Sequence, residues 1–432
     1  MQRQVAAWRR YCEVFAGESE EIERKLLEHE LGRHLREAEQ ALAERRYEQA
    51  LAQLYRANEV AERLERPAVR TEIEEKARRA RRLAQFQASF TEGQRHEQAG
   101  RYQEAIQAYR RAGAWIDDGD PRAKMLAARL AACERALASA AQSSAVERLW
   151  AEAIEAMRHS RAEQAQAALR ALLEVDPGHE RARRALEFAA RITDMVYVPA
   201  GPAIIGTDEP DARAANPRRT VRLPAFFIDR FEVRNRQFLA MVQASGEAPP
   251  PHWRPMPAGG GGGAPFPPEQ ADHPVVQVSW HQAQRYAAWA GKRLPDELEW
   301  EKAARGPDGR TWPWGEDTER RRVHVQAASS EQLPVHTRPV GTAPDDESPY
   351  GCMDMAGNVS EWTGSAFLPY PGGDPRAAEF SEQLKVIRGG SWRYGLHYAR
   401  LFHRDRARPE ERFPEVGFRC ALDIPEWLPE LR

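Results

Sequence analysis

Residues 350–363 read Tyr350-Gly351-Cys352-Met353-Asp354-Met355-Ala356-Gly357-Asn358-Val359-Ser360-Glu361-Trp362-Thr363. Glycine, turn residues and tryptophan are mixed here, and the same grammar runs from Asp194 onward. Short β-like runs alternate with Gly and Pro, and tryptophans recur at Trp253, Trp280, Trp289, Trp300, Trp312, Trp314, Trp362 and Trp392. Downstream lie Arg388-Gly389-Gly390-Ser391-Trp392 and Gly417-Phe418-Arg419-Cys420. Upstream lies Trp312-Pro313-Trp314-Gly315, and before it Lys292-Arg293-Leu294-Pro295-Asp296-Glu297-Leu298-Glu299-Trp300, where proline followed by acids predicts a helix start with a favourable dipole. His273-Pro274-Val275-Val276-Gln277-Val278-Ser279-Trp280 leads into an amphipathic helix through Ala283, Tyr286, Ala287 and Ala290. Met195–Gly201 alternates and turns, Arg219–Asp229 reads as a strand pair, and Phe231–Phe238 begins a helix. The Pro- and Gly-rich run from Pro249 to Pro268, with Gly259–Gly263, reads as an exposed loop.

In this order the motifs resemble one family, the formylglycine-generating-enzyme and sulfatase-modifying-factor superfamily. The resemblance implies a C-type-lectin-like α+β domain over residues 194–424, with a short tail at 425–432. Enzymes of that family oxidise a substrate cysteine to formylglycine with copper held by two cysteines that follow the Gly-Gly-Ser motif. The matching positions here, counted forward from Ser391, are Tyr394 and Ala399. Neither supplies a thiolate, the soft ligand Cu(I) requires. Copper is therefore not expected, and the chain reads as a pseudoenzyme. Ser360 stands where the family has tryptophan. The resemblance also implies a Ca²⁺ site with carboxylates from Asp354 and Glu361 and backbone carbonyls from Gly357 and Val359, a hard-oxygen set. The segment between Val323 and Val340 departs from the pattern of the family's other calcium site.

A second branch of the superfamily uses non-haem iron held by an HxxxHxE helix. His29 and His34 are the nearest histidine pair in the helical half, and i and i+5 do not share a helix face. The segment 393–415 carries Tyr394, His397, Tyr398, Phe402, His403 and Arg406, aromatic and basic side chains suited to contact. The resemblance places it along the family's ligand cleft. It is the expected ligand-binding surface, with Arg400, Arg404 and Arg412 read alternatively as structural ion pairs. Residues 393–398 contain no Lys, Gln, Glu, Met or Trp, as adenine mutation of asparagine codons demands. A variable protein of a diversity-generating retroelement thus stays open beside a binding module and a metal-dependent oxidoreductase.

Residues 1–190 follow other rules. They are rich in Ala, Arg, Glu, Leu and Gln, and apolar residues recur at helical spacing, as at Leu42, Ala50, Leu51, Leu54 and Tyr55. Three stretches echo one another, each with a small turn, then Arg, an aromatic or Ala, a polar pair and Ala: Ala43–Leu51, Glu97–Ile106 and Met157–Ala165. They resemble tetratricopeptide hairpins, but stand about 55 to 60 residues apart where a regular array has about 34. Asp176-Pro177-Gly178 is a helix stop. An all-α region of helical hairpins is expected, either as a surface for a protein or peptide partner or as a plain scaffold or oligomerisation arm.

The whole chain has 432 residues, a formal net charge of -2 and 30% charged residues, so two or more domains are expected and no overall field draws nucleic acid. Cys12, Cys133, Cys352 and Cys420 form no CxxC pair, which suits idle thiols in a reducing compartment. No secretory leader and no membrane span are read from the sequence, so a cytoplasmic location is expected.

Overall fold

The computed structural model describes residues 2–117, 119–254, 264–317, 323–325 and 337–432. The run Gly259–Gly263, most of the segment after Val323, and the side chain of Cys12 lie outside the described residues. Two compact units divide the chain, Met1–Ser144 and Ala145–Arg432.

Helices α1 (Gln2–Ala43), α2 (Tyr47–Arg63), α3 (Pro67–Gln98) and α4 (Tyr102–Gly113) make up most of the first unit, and α5 (Pro121–Arg158) begins there. The echoing stretches are the turns between helices, and they share one backbone geometry. Arg45 and Gly100 adopt left-handed conformations, with φ of 60° and 71°. The next amide then reaches back across the helix end, Arg46 N to Ala41 O at 2.8 Å and Arg101 N to His96 O at 2.9 Å. This satisfies carbonyls that the helix end leaves open. A further turn of the same kind, missed in the sequence, lies at Glu65 (φ 54°), where Arg66 N bonds Ala61 O at 3.1 Å. Small residues line the contacts between helices: Ala50, Ala57, Ala61, Ala105, Ala108 and Ala112 are fully buried. At Gly93 the approach is so close that a Cβ would lie 2.5 Å from the ring of buried Tyr109. His34 is also packed rather than solvated, its Nδ1 2.8 Å from Gln53 Oε1.

The second unit opens with the end of α5, then α6 (Ala162–Val175) and α7 (Glu180–Arg191). The turn into α6 repeats the geometry above, with Ser160 at φ 59° and Arg161 N on Ala156 O at 2.8 Å. The expected stop is present: α6 ends before Asp176, whose Oδ1 accepts from Gly178 N at 3.1 Å, and His179 caps α7. There follow β1 (Met195–Val198), β2 (Gly201–Ile205), β3 (Arg219–Leu223), β4 (Phe226–Asp229), α8 (Asn235–Ser245), α9 (Trp280–Trp289), α10 (Glu297–Arg305), β5 (Ser360–Phe367), β6 (Ser381–Arg388), β7 (Asp405–Ala407), β8 (Val416–Phe418) and β9 (Ala421–Asp423). The segment 219–229 does form two strands, but they do not pair with each other. β3 pairs with β2, and β4 is the centre of an antiparallel β1-β4-β9 sheet. Pro224 interrupts the run between them, and a proline cannot donate to a continuous ladder. The other sheet has the order β7-β6-β5-β8, with β5 and β8 parallel.

One core joins α5–α7 to the first sheet through Ile154, Leu169, Leu172, Phe188, Met195, Phe227 and Leu422. The final residues belong to it. Leu428 and Leu431 are fully buried, Glu430 accepts from Trp150 Nε1 at 3.1 Å and from Arg181 at 2.6 Å, and Tyr197 donates to Leu431 O at 2.7 Å. Residues 425–432 are thus a packed segment rather than a tail. Among the described residues no helix is long and apolar enough to cross a membrane.

Candidate functional site

The Gly389-Gly390 step after β6 sets the position of the site. A Cβ on Gly390 would lie 2.5 Å from Ala399 Cβ, so only glycine lets the 393–404 loop sit this low on the sheet. Ala399 is fully buried by that contact. Tyr394 and Tyr398 point outward, 39% and 48% exposed, with ring centroids 5.5 Å apart. The Tyr394 hydroxyl donates to Glu415 Oε1 at 3.2 Å, and Arg393 reaches the same buried carboxylate at 3.2 Å. Burial and Glu415 together hold the Tyr394 phenol above its ordinary pKa. His397 lies edge-on to Tyr398, and its Nε2 is 2.9 Å from the Arg400 guanidinium. Arg400, nearly buried, forks to Glu209 at 2.5 Å and Asp211 at 3.1 Å.

The structure thus brings Tyr394, His397 and Tyr398 together on one surface. His403 lies beneath them, perpendicular to Tyr398 at 5.3 Å, and burial pushes its imidazole down to about 4. Arg406 is exposed on β7 with its guanidinium 5.3 Å over the Phe367 ring. Phe402 departs from the expectation: it is 1% exposed, packed under Arg400 and Arg305 at 5.0 and 5.5 Å. Its ring supports the surface from below and lines an adjoining cleft of about 720 Å³ with Arg218, Arg305 and residues from 207–210 and 308–316.

The loop is anchored by side chains that sequence reasoning did not single out. Arg388, fully buried, donates to the carbonyls of Leu401 at 3.0 Å, Phe402 at 3.1 Å and His403 at 2.8 Å, and to Glu301 Oε2 at 2.5 Å. Arg404 grips Glu297 with two bonds of 2.7 and 2.8 Å. Arg400 and Arg404 therefore act as the structural ion pairs that were the alternative reading of this segment.

Around the Asp354–Glu361 motif lies a second cluster. Asp354 is 3% exposed at φ 60°, and its Oδ2 accepts from Gly341 N at 2.5 Å. Burial raises its pKa to about 6. Glu361 is held on both oxygens by Arg419 at 2.7 Å, and its Oε2 also accepts from Trp300 Nε1 at 2.9 Å. Glu232, which the sequence reading passed over, is buried beside both; burial and the neighbouring carboxylates raise it well above the usual range. Its Oε1 has no hydrogen-bond partner among the described residues. The signal for it was an acid between Phe231 and Val233, since acids are rarely fully buried without a partner. Glu232, Asp354 and Glu361 face one guanidinium, Arg419, so the cluster is short of positive charge. Each carboxylate oxygen has two acceptor sites, and Glu361 Oε1 uses one. Among the described residues no three His, Cys, Asp or Glu side chains are placed to hold a metal by themselves. The expected Ca²⁺ set needs only two side chains beside two carbonyls, and the orphaned Glu232 oxygen and the charge deficit fit a hard cation there.

Residues 182–424 match the model of the sulfatase-modifying factor enzyme 1-like domain. The chain is 36% identical over 287 residues to a formylglycine-generating enzyme of Thermomonospora curvata, covering 53% of this chain and 93% of that protein. It is 33% identical over 275 residues to the inactive C-alpha-formylglycine-generating enzyme 2 of Mus musculus, covering 52% and 85%. Among solved structures it is similar to PvdO from Pseudomonas aeruginosa, at 28% identity and a TM-score of 0.43, covering 53% of this chain and 94% of that one. With its helical hairpins and its α+β, C-type-lectin-like second half, the chain belongs to the sulfatase-modifying factor enzyme 1-like family.

Proposed function

We propose that the family domain of this chain binds a protein or peptide ligand and has lost the formylglycine chemistry. The observation that carries this reading is the surface of Tyr394, His397 and Tyr398. Two tyrosines in mutual contact stand about half exposed over a frame of buried ion pairs. Tyrosine offers large contact area with few rotamers to freeze. By the family resemblance, Tyr394 and Ala399 occupy the positions of the copper cysteines, and they offer a phenol and a methyl. A relative named as inactive fits the same reading. The tetratricopeptide-like hairpins of the first unit give a second interaction arm, and the buried free thiols of Cys133, Cys352 and Cys420 suit a reducing, cytoplasmic setting.

The test is capture by the immobilised full chain, followed by affinity measurement. Tyr394→Ala and Tyr398→Ala each lower affinity by at least about tenfold with the melting temperature unchanged. Turnover of a cysteine peptide to an aldehyde by the copper-loaded chain overturns the reading.

Ca²⁺ is the cation proposed at the second cluster, held by Asp354, the carbonyls of Gly357 and Val359, and Glu361. Its role is to balance buried charge and fix the turn below the tyrosine surface. Calorimetric titration with calcium chloride is expected to show one site, lost in Asp354→Ala. Absence of binding by the native chain refutes it.

A further inference from the structure

Helix α1 is 42 residues long, whereas α2, which returns along it, has 17. The face that packs in this unit begins at Leu27 and continues through Leu31, His34, Ala38 and Ala41. Every described side chain of α1 before Leu27 is exposed. That projecting stretch is nonetheless rich in apolar residues: Trp8 is 71% exposed, Phe15 56%, Ile22 60% and Leu26 62%.

These residues fall on a regular seam. In the sequence, Val5, Trp8, Cys12, Phe15, Ser19, Ile22 and Leu26 follow one another in alternating steps of three and four. That is the 3.5-residue period of a coiled coil. Leu26 and Leu27 point about 100° apart, and the seam, centred between Ile22 and Leu26, lies about 140° round the helix from the packed face centred between Leu27 and Leu31. It is not a continuation of the hairpin core.

We infer that residues 5–26 of α1 form an antiparallel coiled coil with the same segment of a second copy of this chain. A single seam meeting itself across a two-fold axis is the simplest closed arrangement. The flanking charges select the direction. In the antiparallel register that sets Trp8 opposite Ser19, Arg9 of one copy meets Glu23 of the other. In the parallel register Glu18 meets Glu23, a like-charge pair. Within its own chain Glu23 is touched by Arg63 at 3.3 Å through one oxygen in an exposed pair, which leaves the other oxygen for Arg9.

Sedimentation equilibrium of the full chain tests this. The native chain is expected to be dimeric at tens of micromolar. Phe15→Glu with Ile22→Glu weakens the dimer by at least about a hundredfold, with the helical circular dichroism preserved. Arg9→Glu weakens it by about tenfold, and adding Glu23→Arg restores it. A native chain that stays monomeric, a dimer that survives the double Glu change, or a charge swap without rescue each overturns the inference. So does a monomer that instead co-floats with phosphatidylcholine–phosphatidylglycerol vesicles, which would make the seam a membrane-surface face.

Discussion

Changing Glu301 to Gln is expected to cost the second unit about 3–5 kcal/mol. Glu301 is fully buried on α10, and each oxygen is committed. Oε1 accepts from Arg305 at 2.6 Å and from the backbone amide of Gly206 at 2.7 Å. Oε2 accepts from Arg388 at 2.5 Å and from the Tyr370 hydroxyl at 3.4 Å. Arg388 is as fully buried as its partner, and Arg305 nearly so. Glutamine keeps the volume and removes the charge, so two guanidiniums remain in a low-dielectric site with one formal countercharge fewer. Its amide nitrogen also presents hydrogens to donors that already point inward. Typical whole-domain stabilities are about 5–15 kcal/mol, so a loss of this size brings the unit close to unfolding at physiological temperature. Urea denaturation of the two proteins measures it. The loop consequence is separable: Arg388 also holds the carbonyls of 401–403, so ligand affinity at the tyrosine surface should fall even under conditions where Glu301→Gln remains folded. A stability loss below about 1 kcal/mol would mean that water reaches the network and that its pairs behave like surface pairs.

That network explains what the sequence did and did not disclose. The family motifs lie in chain order, and their glycines mark places where backbone must approach backbone; Gly390 against Ala399 is such a contact. The helices declared themselves by period. The turn at Glu65 was missed because the pattern sought an aromatic or alanine after the arginine, and Pro67 stands there instead. What the turn requires is a residue held left-handed so that the next amide can reach back, and Arg45, Glu65 and Ser160 do this without glycine. Tyr394, His397 and Tyr398 were legible as a surface because they sit between two framework motifs. Phe402 was not, because an irregular loop has no period to say which side chains turn inward. The ion pairs join residues far apart along the chain, 87 positions for Glu301 with Arg388 and 107 for Glu297 with Arg404. No local pattern could pair them, and the same holds for Glu232 against Asp354.

Acidification should weaken the tyrosine surface through His403, and the sign follows from burial. Desolvation lowers this imidazole from its ordinary value of 6.5 to about 4; Arg388, Arg400 and His397 push the same way, and Asp405 opposes them. The unfolded chain takes up the proton near pH 6.5, whereas the folded chain refuses it until about 4. The stability conferred by the neutral ring is therefore complete above pH 6.5 and is lost as pH falls from 6.5 to 4. The shift corresponds to up to about 3 kcal/mol. Asp354 works in the opposite sense: its raised value favours folding in acid, and that contribution disappears as pH rises from 3.8 through about 6. The raw pH profile is thus a sum, and the difference between the native chain and His403→Phe isolates the histidine. Phenylalanine keeps an aromatic ring against Tyr398, which His403 meets edge-on at 5.3 Å, and cannot titrate. Between pH 7 and 4 the native chain should lose up to about 3 kcal/mol more than the variant. Its ligand affinity should hold through most of this range and decline only as pH approaches about 4, where the folded chain takes up the proton, while that of His403→Phe holds throughout, because a charged imidazole seeks water and must leave its place under Tyr398. Parallel stability curves for the two proteins would show that the ring is hydrated in the folded state and that the floor of the surface is open to solvent.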